Sequence, residues 1–176
     1  MDNYENNDSV KIGLSDIING AMLLFGLTAF CMLFVDCVKC VKVFGGETVC
    51  FKGYEIAFGG AHVLTFSFFN FLPFLFVLAA SVLVGLKFFG IKLDFKVIDA
   101  DWVIAALFGF ATIFFFISPV TLQFSSDATA FKNGRSLYMA AGLIVASILS
   151  LLSALVIAAQ KTLRILIKKG VINVRF

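Results

Sequence analysis

Residues 137–159 read LYMAAGLIVASILSLLSALVIAA, an apolar stretch of 23 residues without a charged side chain. About 20 apolar residues are enough for a helix to cross the hydrocarbon of a bilayer. A β-barrel would instead show strands of about ten residues with alternating hydrophobicity, and this stretch is continuous. A helix also satisfies its own backbone hydrogen bonds in lipid. The stretch therefore predicts a transmembrane helix, the fourth in the chain.

Three earlier stretches, residues 17–35, 63–86 and 102–122, have 19, 24 and 21 residues without a charged side chain. The whole chain is 61% hydrophobic and 14% charged, against about 45–50% and 25% in average soluble domains. A soluble fold of 176 residues cannot bury so much apolar surface. The sequence therefore predicts an all-α membrane protein. We expect a bundle of four transmembrane helices in a single domain, residues 1–176, with a basic tail over residues 160–176.

Lysine and arginine residues are distributed unequally between the two sides of this bundle. The segment before the first span, the loop between the second and third spans and the C-terminal tail together hold nine of them, and the other two loops hold five. Positively charged segments stay preferentially in the cytoplasm. We therefore expect an integral protein of the plasma membrane with both termini cytoplasmic, and the inverted orientation is the alternative.

The first loop, residues 36–62, contains two runs of β-favouring residues on either side of Gly45-Gly46. Glycine supplies the positive φ that tight hairpin turns need. We expect a small extracytoplasmic β-hairpin that covers the end of the bundle. The polar third loop, residues 123–136, is expected to form a turn or a short hairpin that pairs with the first loop.

All four cysteines, Cys31, Cys37, Cys40 and Cys50, lie in or beside the first loop. On an oxidising side of a membrane, the three loop cysteines permit one disulfide. A two-residue turn would place Cys40 and Cys50 on opposite faces of the hairpin, whereas a three-residue turn would place them on the same face. We expect Cys50 to bond with Cys40 or Cys37, and the pair Cys37–Cys40 also stays open. Plain buried thiols are one alternative, and half of a redox or zinc site at Cys37-x-x-Cys40 is another.

Small residues recur at every fourth position of the fourth span. They are Gly142, Ala146, Ser150, Ala154 and Ala158. Positions i and i+4 share one helix face, so these residues form a ridge that lets another helix approach closely in lipid. The helix that packs on this ridge belongs either to the same bundle or to another subunit.

Phenylalanine is the second unusual feature, with 23 residues in the chain. Eleven of them lie in the second and third spans, at Phe66, Phe68, Phe69, Phe71, Phe74, Phe76, Phe108, Phe110, Phe114, Phe115 and Phe116. In the expected topology, most of these side chains gather in the half of the bilayer next to the first loop. They either face lipid or form a docking surface for a partner's helix or a lipid tail.

The fourth helix is expected to continue beyond Ala159 into the basic tail. This continuation carries the cations Lys161, Arg164, Lys168 and Lys169. Long basic side chains at a helix end extend toward the headgroups, and each is worth about 1 kcal/mol near an anionic leaflet. We expect these four cations to lie at the inner membrane interface.

Catalytic chemistry finds little support in the sequence. Charged residues inside a membrane usually mark an ion path, and the predicted spans contain none. The chain has a single histidine, His62. Asp94, Asp99 and Asp101 could be read as a metal site, but Asp99 and Asp101 also fit the N-terminus of the third helix, where negative charge meets the helix dipole. We expect no enzyme activity, no cofactor, no metal site and no nucleic acid binding.

Four spans, cytoplasmic termini and a β-like first outer loop resemble the layout of the claudins and related tetraspan proteins. The claudin tryptophan and Gly-Leu-Trp signature is absent from the first loop, since the only tryptophan is Trp102, so no family residue is assigned.

The sequence favours a small multi-pass membrane protein that acts by interaction, as a scaffold or an accessory subunit of a membrane complex. Its expected partners are the lipid bilayer and either a membrane protein or further copies of the chain, bound through the fourth helix or the Phe-rich second and third helices. A transport or channel component whose pore requires oligomerisation is the alternative.

Overall fold

Long helices dominate the computed structural model, which describes residues 13–42, 46–60, 63–91, 93, 99–126 and 135–169. The elements in chain order are helix α1 (Leu14–Cys31), a 3-10 turn (Met32–Phe34), strands β1 (Asp36–Lys42) and β2 (Thr48–Lys52), short helix α2 (Gly53–Phe58), helices α3 (Phe68–Phe88) and α4 (Ala100–Ile117), strand β3 (Arg135–Met139) and helix α5 (Ala141–Lys168).

Four of these helices are long and apolar enough to cross a membrane, judged by length and composition: α1 with its 3-10 turn, α3, α4 and α5. This finding supports the predicted class, a membrane protein with four spanning helices. The helices pack in a closed cycle, in which α1 contacts α3, α3 contacts α4, α4 contacts α5 and α5 contacts α1. The three strands lie at one end of this bundle, which we call the sheet end. At the opposite end, Lys87, Asp99, Asp101 and Lys161 form ion pairs, and we call it the ionic end.

The second predicted span starts too early. α3 begins at Phe68, five residues after the predicted start at Val63. Leu64 instead forms antiparallel bridges with Gly60 and Phe124. Apolar composition alone could not separate these residues from the helix, because they are as hydrophobic as the span that follows.

The third and fourth predicted spans also differ from the helices at the sheet end. α4 stops at Ile117 instead of Leu122, and Pro119 follows, which lacks the N–H needed to continue the helix. α5 starts at Ala141 instead of Leu137, because the preceding residues pair with β1 as strand β3. Both differences occur where an apolar segment leaves the bundle and joins the sheet end.

Aromatic side chains fill the centre of the bundle. Phe74 of α3 and Phe108 and Phe115 of α4 are fully buried. The side chains of Phe74 and Phe115 meet edge to face, with their centroids 5.1 Å apart and an interplanar angle of 77°. Such pairs contribute about 0.5–1.5 kcal/mol beyond the burial of their area. The core between α3 and α4 is therefore closely packed where these side chains meet.

The predicted hairpin is present and is part of a three-stranded antiparallel sheet with the strand order β2-β1-β3. Cys40 of the central strand lies opposite Val49 of β2 and Leu137 of β3. This face of the sheet packs toward the bundle, and Cys40 is completely buried there. The other face carries Cys50 and Tyr138, which are exposed.

The sheet joins the bundle by direct backbone contact between β1 and the start of α5. The N–H of Ala140 donates to the carbonyl of Cys37 at 2.8 Å. A Cβ atom on Gly142 would lie 2.8 Å from the carbonyl oxygen of Asp36 and 2.8 Å from the sulfur of Cys37. Only glycine fits this contact without displacing the strand, which explains the first position of the small-residue ridge.

Replacing Gly142 with alanine tests this junction. Gly142→Ala should lower the stability of the protein by about 1–3 kcal/mol, the usual cost of overpacking, because the strand backbone must move. Gly109→Ala in α4 is the matched control, since a Cβ there meets nothing within 4 Å and alanine favours a helix by up to about 1 kcal/mol. Thermal unfolding in detergent measures both. Equal melting temperatures for the two variants would contradict the close contact of Gly142 with the backbone of β1.

Candidate functional site

The small-residue ridge lies on the side of α5 that faces the bundle. Gly142, Ala146 and Ser150 are buried, and Ala154 and Ala158 are partly buried. Ala146 is completely inaccessible, so the chain's own helices cover this part of the ridge. Of the two partners considered for the ridge, its burial favours a helix of the same bundle.

Four phenylalanines form a continuous row across the outside of α3 and α4. The side chains of Phe69 and Phe114 are stacked, with centroids 6.3 Å apart and an interplanar angle of 20°. Phe76 contacts Phe114 at 5.9 Å and Phe110 at 6.3 Å. We call Phe69, Phe76, Phe110 and Phe114 the aromatic seam. Phe69 remains 49% exposed and Phe110 remains 54% exposed, so the seam is open to whatever surrounds the bundle.

The outward faces of the other two long helices have a different composition. Among the described residues, the exposed large hydrophobic side chains of α5 are aliphatic: Ile144, Val145, Ile148, Leu151, Leu152, Leu155, Val156, Leu163, Ile165 and Ile167. Those of α1 are Ile17, Leu24 and Leu27. Flexible aliphatic side chains suit contact with lipid tails, whereas the aromatic seam belongs to α3 and α4.

The structure does not form the disulfide that the sequence predicts. All four cysteines are described and all four are free thiols. Lys42 N–H donates to the carbonyl of Glu47 at 3.0 Å, so four residues connect the strands, not the two or three considered. In this register Cys50 lies opposite Lys39, which places it on the outer face while Cys40 points inward.

Cys37 occupies an irregular position in β1, where the register with β2 shifts. The residue is completely buried, and its thiol donates to the carbonyl of Met32 at 3.3 Å. Burial in apolar surroundings, with a smaller contribution from the charge of Asp36, raises the pKa of Cys37 to about 12. The thiol is therefore protonated at neutral pH, which argues against a reactive redox cysteine at this position.

An ion-pair cluster joins three helices at the ionic end. Lys87 of α3 pairs with Asp101 of α4, and Lys161 of α5 pairs with Asp99. The Lys161 ammonium is also 3.9 Å from an oxygen of Asp101. Asp99 caps α4, because its carboxylate accepts from the N–H of Asp101 at 3.0 Å. The expected role of the aspartates at this helix start is confirmed, and their link to α5 is a finding that the sequence did not predict.

The electrostatics of this cluster favour the ionised form of Asp99. The hydrogen bond from Lys161 and the backbone N–H of Asp101 lower the pKa of the Asp99 carboxyl below its ordinary value of 3.8. Its stabilising contribution is thus fully present above about pH 4 and is lost as the pH falls through the lowered pKa.

The four predicted interface cations divide into two groups. Lys161 is held by its two aspartates and its side chain is only 20% exposed. Arg164, Lys168 and Lys169 are exposed. Among the described residues, none of these three forms an ion pair.

Buried polar side chains connect α3 with the segment after α4. The hydroxyl of Thr121 donates to the side-chain oxygen of Asn70 at 2.6 Å. The hydroxyl of Ser67 donates to the carbonyl of Thr121 at 3.1 Å. Side-chain hydrogen bonds also help membrane helices to associate, and these contacts hold the sheet end of α3 against the segment that follows α4.

The described residues contain no group of three or more histidine, cysteine, aspartate or glutamate side chains that could hold a metal ion. The third aspartate of the metal-site reading, Asp94, and the only histidine, His62, lie outside the described residues. The same holds for residues 1–12 and for the end of the basic tail, residues 170–176. Asp99 and Asp101 pair with lysines, so the structure gives them a role in helix association.

Thiol labelling tests the arrangement of the cysteines. A water-soluble maleimide at pH 7.5 should modify Cys50 readily, because this residue is exposed. Cys37 should react at least about a hundredfold more slowly, since burial and its raised pKa suppress the thiolate. Mass spectrometry of peptides follows both rates, and sodium dodecyl sulfate should make all four cysteines reactive. If Cys50 reacts only after a reductant is added, the residue forms a disulfide, which would contradict the observed register.

The ion-pair cluster gives a second prediction. Lys161→Gln should destabilise the protein by about 1 kcal/mol, whereas Lys168→Gln, which removes an exposed cation, should change stability by less than about 0.5 kcal/mol. In a pH titration of the melting temperature, the wild type should lose stability below about pH 4 as Asp99 becomes protonated. Asp99→Asn should start lower at pH 7 and lose less on acidification. Identical acid profiles for Asp99→Asn and the wild type would refute this role of Asp99.

No known protein family matches this chain, and no curated protein sequence does so. No solved structure matches the fold either.

Proposed function

We propose that this chain is an integral membrane protein that acts by binding a transmembrane helix of a partner protein on its aromatic seam, as a scaffold or an accessory subunit. Four helices that are long and apolar enough to cross a membrane support the location. The observation that carries the proposal is the stacked and still half-exposed row of phenylalanines on α3 and α4.

The physics of helix association in lipid makes such a row a suitable docking surface. Lipid tails are as apolar as the helices, so association depends on close packing and not on the hydrophobic effect. Aromatic side chains have few rotamers, and a surface that is already ordered loses little conformational entropy when a partner binds. The stacking of Phe69 on Phe114 and the contacts of Phe76 hold this surface in place.

The other candidate surface is already occupied. The small-residue ridge of α5 would let a partner helix approach closely, but Gly142, Ala146 and Ser150 are buried in the chain's own bundle. A partner could reach this ridge only by displacing α5 from its neighbours. The burial of the ridge therefore supports the aromatic seam as the docking surface.

A transport role would need several copies of the chain. Phe74, Phe108 and Phe115 are fully buried in the bundle, so a passage through a single copy would have to move closely packed aromatic side chains. The alternative function, a transport or channel component, therefore requires further copies of the chain to bind at the aromatic seam. The experiment below distinguishes such copies from a different partner protein.

Site-directed photocrosslinking tests the proposal in intact membranes. The photoreactive amino acid p-benzoylphenylalanine is introduced singly at Phe69 and Phe110 of the seam, and at Leu151 and Leu155 of α5 as exposed aliphatic controls. We expect protein adducts from both seam positions and lipid adducts alone from the two controls. A seam adduct with twice the mass of the chain would support the oligomeric alternative, and an adduct of another mass would identify a partner protein. Equal protein crosslinking from all four positions, or lipid adducts alone from the seam, would refute the proposal.

A further inference from the structure

α5 is longer than the hydrocarbon core of a membrane is thick. Its 28 residues, Ala141–Lys168, span about 42 Å at 1.5 Å per residue, whereas the hydrocarbon core is about 30 Å. The predicted continuation of this helix past Ala159 is confirmed. The first charged residue along α5 is Lys161, so the helix leaves the hydrocarbon close to this residue, and Arg164 lies almost one turn further on, at the depth of the lipid headgroups.

An apolar groove lies between α1 and α5 at this same depth. It has a volume of about 520 Å³ and is lined by Ser15 and Ile18 of α1 and by Val156, Ala159, Gln160, Leu163 and Arg164 of α5. Its inner part, next to Ile18 and Val156, is aliphatic. Its polar groups, the Ser15 hydroxyl, the Gln160 amide and the Arg164 guanidinium, belong to residues nearer the ends of the two helices.

Charge distinguishes the mouth of this groove from the rest of the ionic end. Lys161 is neutralised by Asp99 and Asp101. Arg164 lines the groove, is exposed and forms no ion pair with any described residue. Lys168 and Lys169 follow it on the same helix and are exposed as well. The groove therefore has an aliphatic interior and, at its mouth, a positive charge that forms no ion pair with a described residue.

We propose that this groove is a binding site for one anionic phospholipid. The phosphate of the headgroup pairs with the guanidinium of Arg164, and an acyl chain lies along Ile18, Val156 and Ala159. A guanidinium matches the geometry of phosphate oxygens and can donate two parallel hydrogen bonds to them. An anionic lipid has an acyl chain that fits an aliphatic groove and a phosphate that pairs with an adjacent cation. The position of Arg164 along α5 places its guanidinium at the depth of the lipid phosphates. The inference needs only that the helices lie in a membrane, and it does not depend on a partner at the aromatic seam.

Native mass spectrometry of the purified, delipidated protein tests this site. The protein in detergent is titrated with dioleoylphosphatidylglycerol or with dioleoylphosphatidylcholine of the same chain length. We expect one phosphatidylglycerol to bind in preference to phosphatidylcholine. Arg164→Gln should weaken phosphatidylglycerol binding about tenfold, the scale of a lost charge-assisted hydrogen bond. Arg164→Lys should retain part of the preference, because a lysine keeps the charge but not the paired geometry.

Two control variants separate this site from general attraction to a basic helix. Lys168→Gln removes one positive charge outside the groove. It should leave lipid binding within about twofold of the wild type, because a solvent-exposed charge contributes little to an ion pair. Ala159→Phe fills the groove and should weaken binding of both lipids, whereas Leu152→Phe, on an exposed face outside the groove, should not. Soluble glycerol 3-phosphate should fail to displace the lipid, because it has no acyl chain.

Three results would overturn the proposal. Equal losses for Arg164→Gln and Lys168→Gln would show attraction by the overall charge of the helix. An unchanged affinity in Ala159→Phe would show that no acyl chain occupies the groove. Displacement by glycerol 3-phosphate would show a site for the phosphate group alone. Circular dichroism and the melting temperature of each variant establish that the bundle is intact, so that weaker binding reports on the groove.

Discussion

The contact of β1 with the first turn of α5 is the constraint on which the arrangement of this protein depends. At this point a strand from the first loop lies directly on the backbone of the last helix, with the Ala140 N–H bonded to the Cys37 carbonyl and no room for a side chain on Gly142. The contact fixes the position of the sheet on the bundle. It also aligns β3 with β1, since β3 ends just before this turn.

The two ends of the bundle are held by different interactions. At the sheet end, backbone hydrogen bonds between strands and the buried contact of Thr121 with Asn70 join segments that are distant in the chain. At the ionic end, Lys87 and Lys161 bridge three helices through two aspartates of α4. The middle of the bundle depends on aromatic packing and on the small residues of α5, which allow its neighbours to come close. The lateral surface is then left free for contacts with lipid or with a partner.

The sequence was sufficient for features that depend on local composition. Long uncharged stretches identified the four helices that are long and apolar enough to span a membrane, and Asp99 before an apolar run indicated the start of α4. Features that depend on distant contacts were missed. The apolar residues Leu137–Met139 look like the start of a helix, and only their pairing with β1 makes them a strand. The four-residue connection between β1 and β2 separated Cys40 from Cys50, whereas the glycine pair had suggested a shorter turn. No spacing rule in one sequence reveals that Lys161 meets Asp99 and Asp101, which lie 62 and 60 positions earlier in the chain.

The cyclic order of the helices has a consequence for biosynthesis. Of the described helices, α5 is synthesised last, yet it is the neighbour of both α1 and α4. Until β3 and α5 have been synthesised, β1 lacks its partner on one edge and α1 lacks one of its two neighbouring helices. The nascent chain therefore carries an open strand edge until β3 is made and an incomplete helix layer until α5 is made. Closure of the bundle and completion of the sheet become a single late event, in which the last helix closes the structure begun by the first.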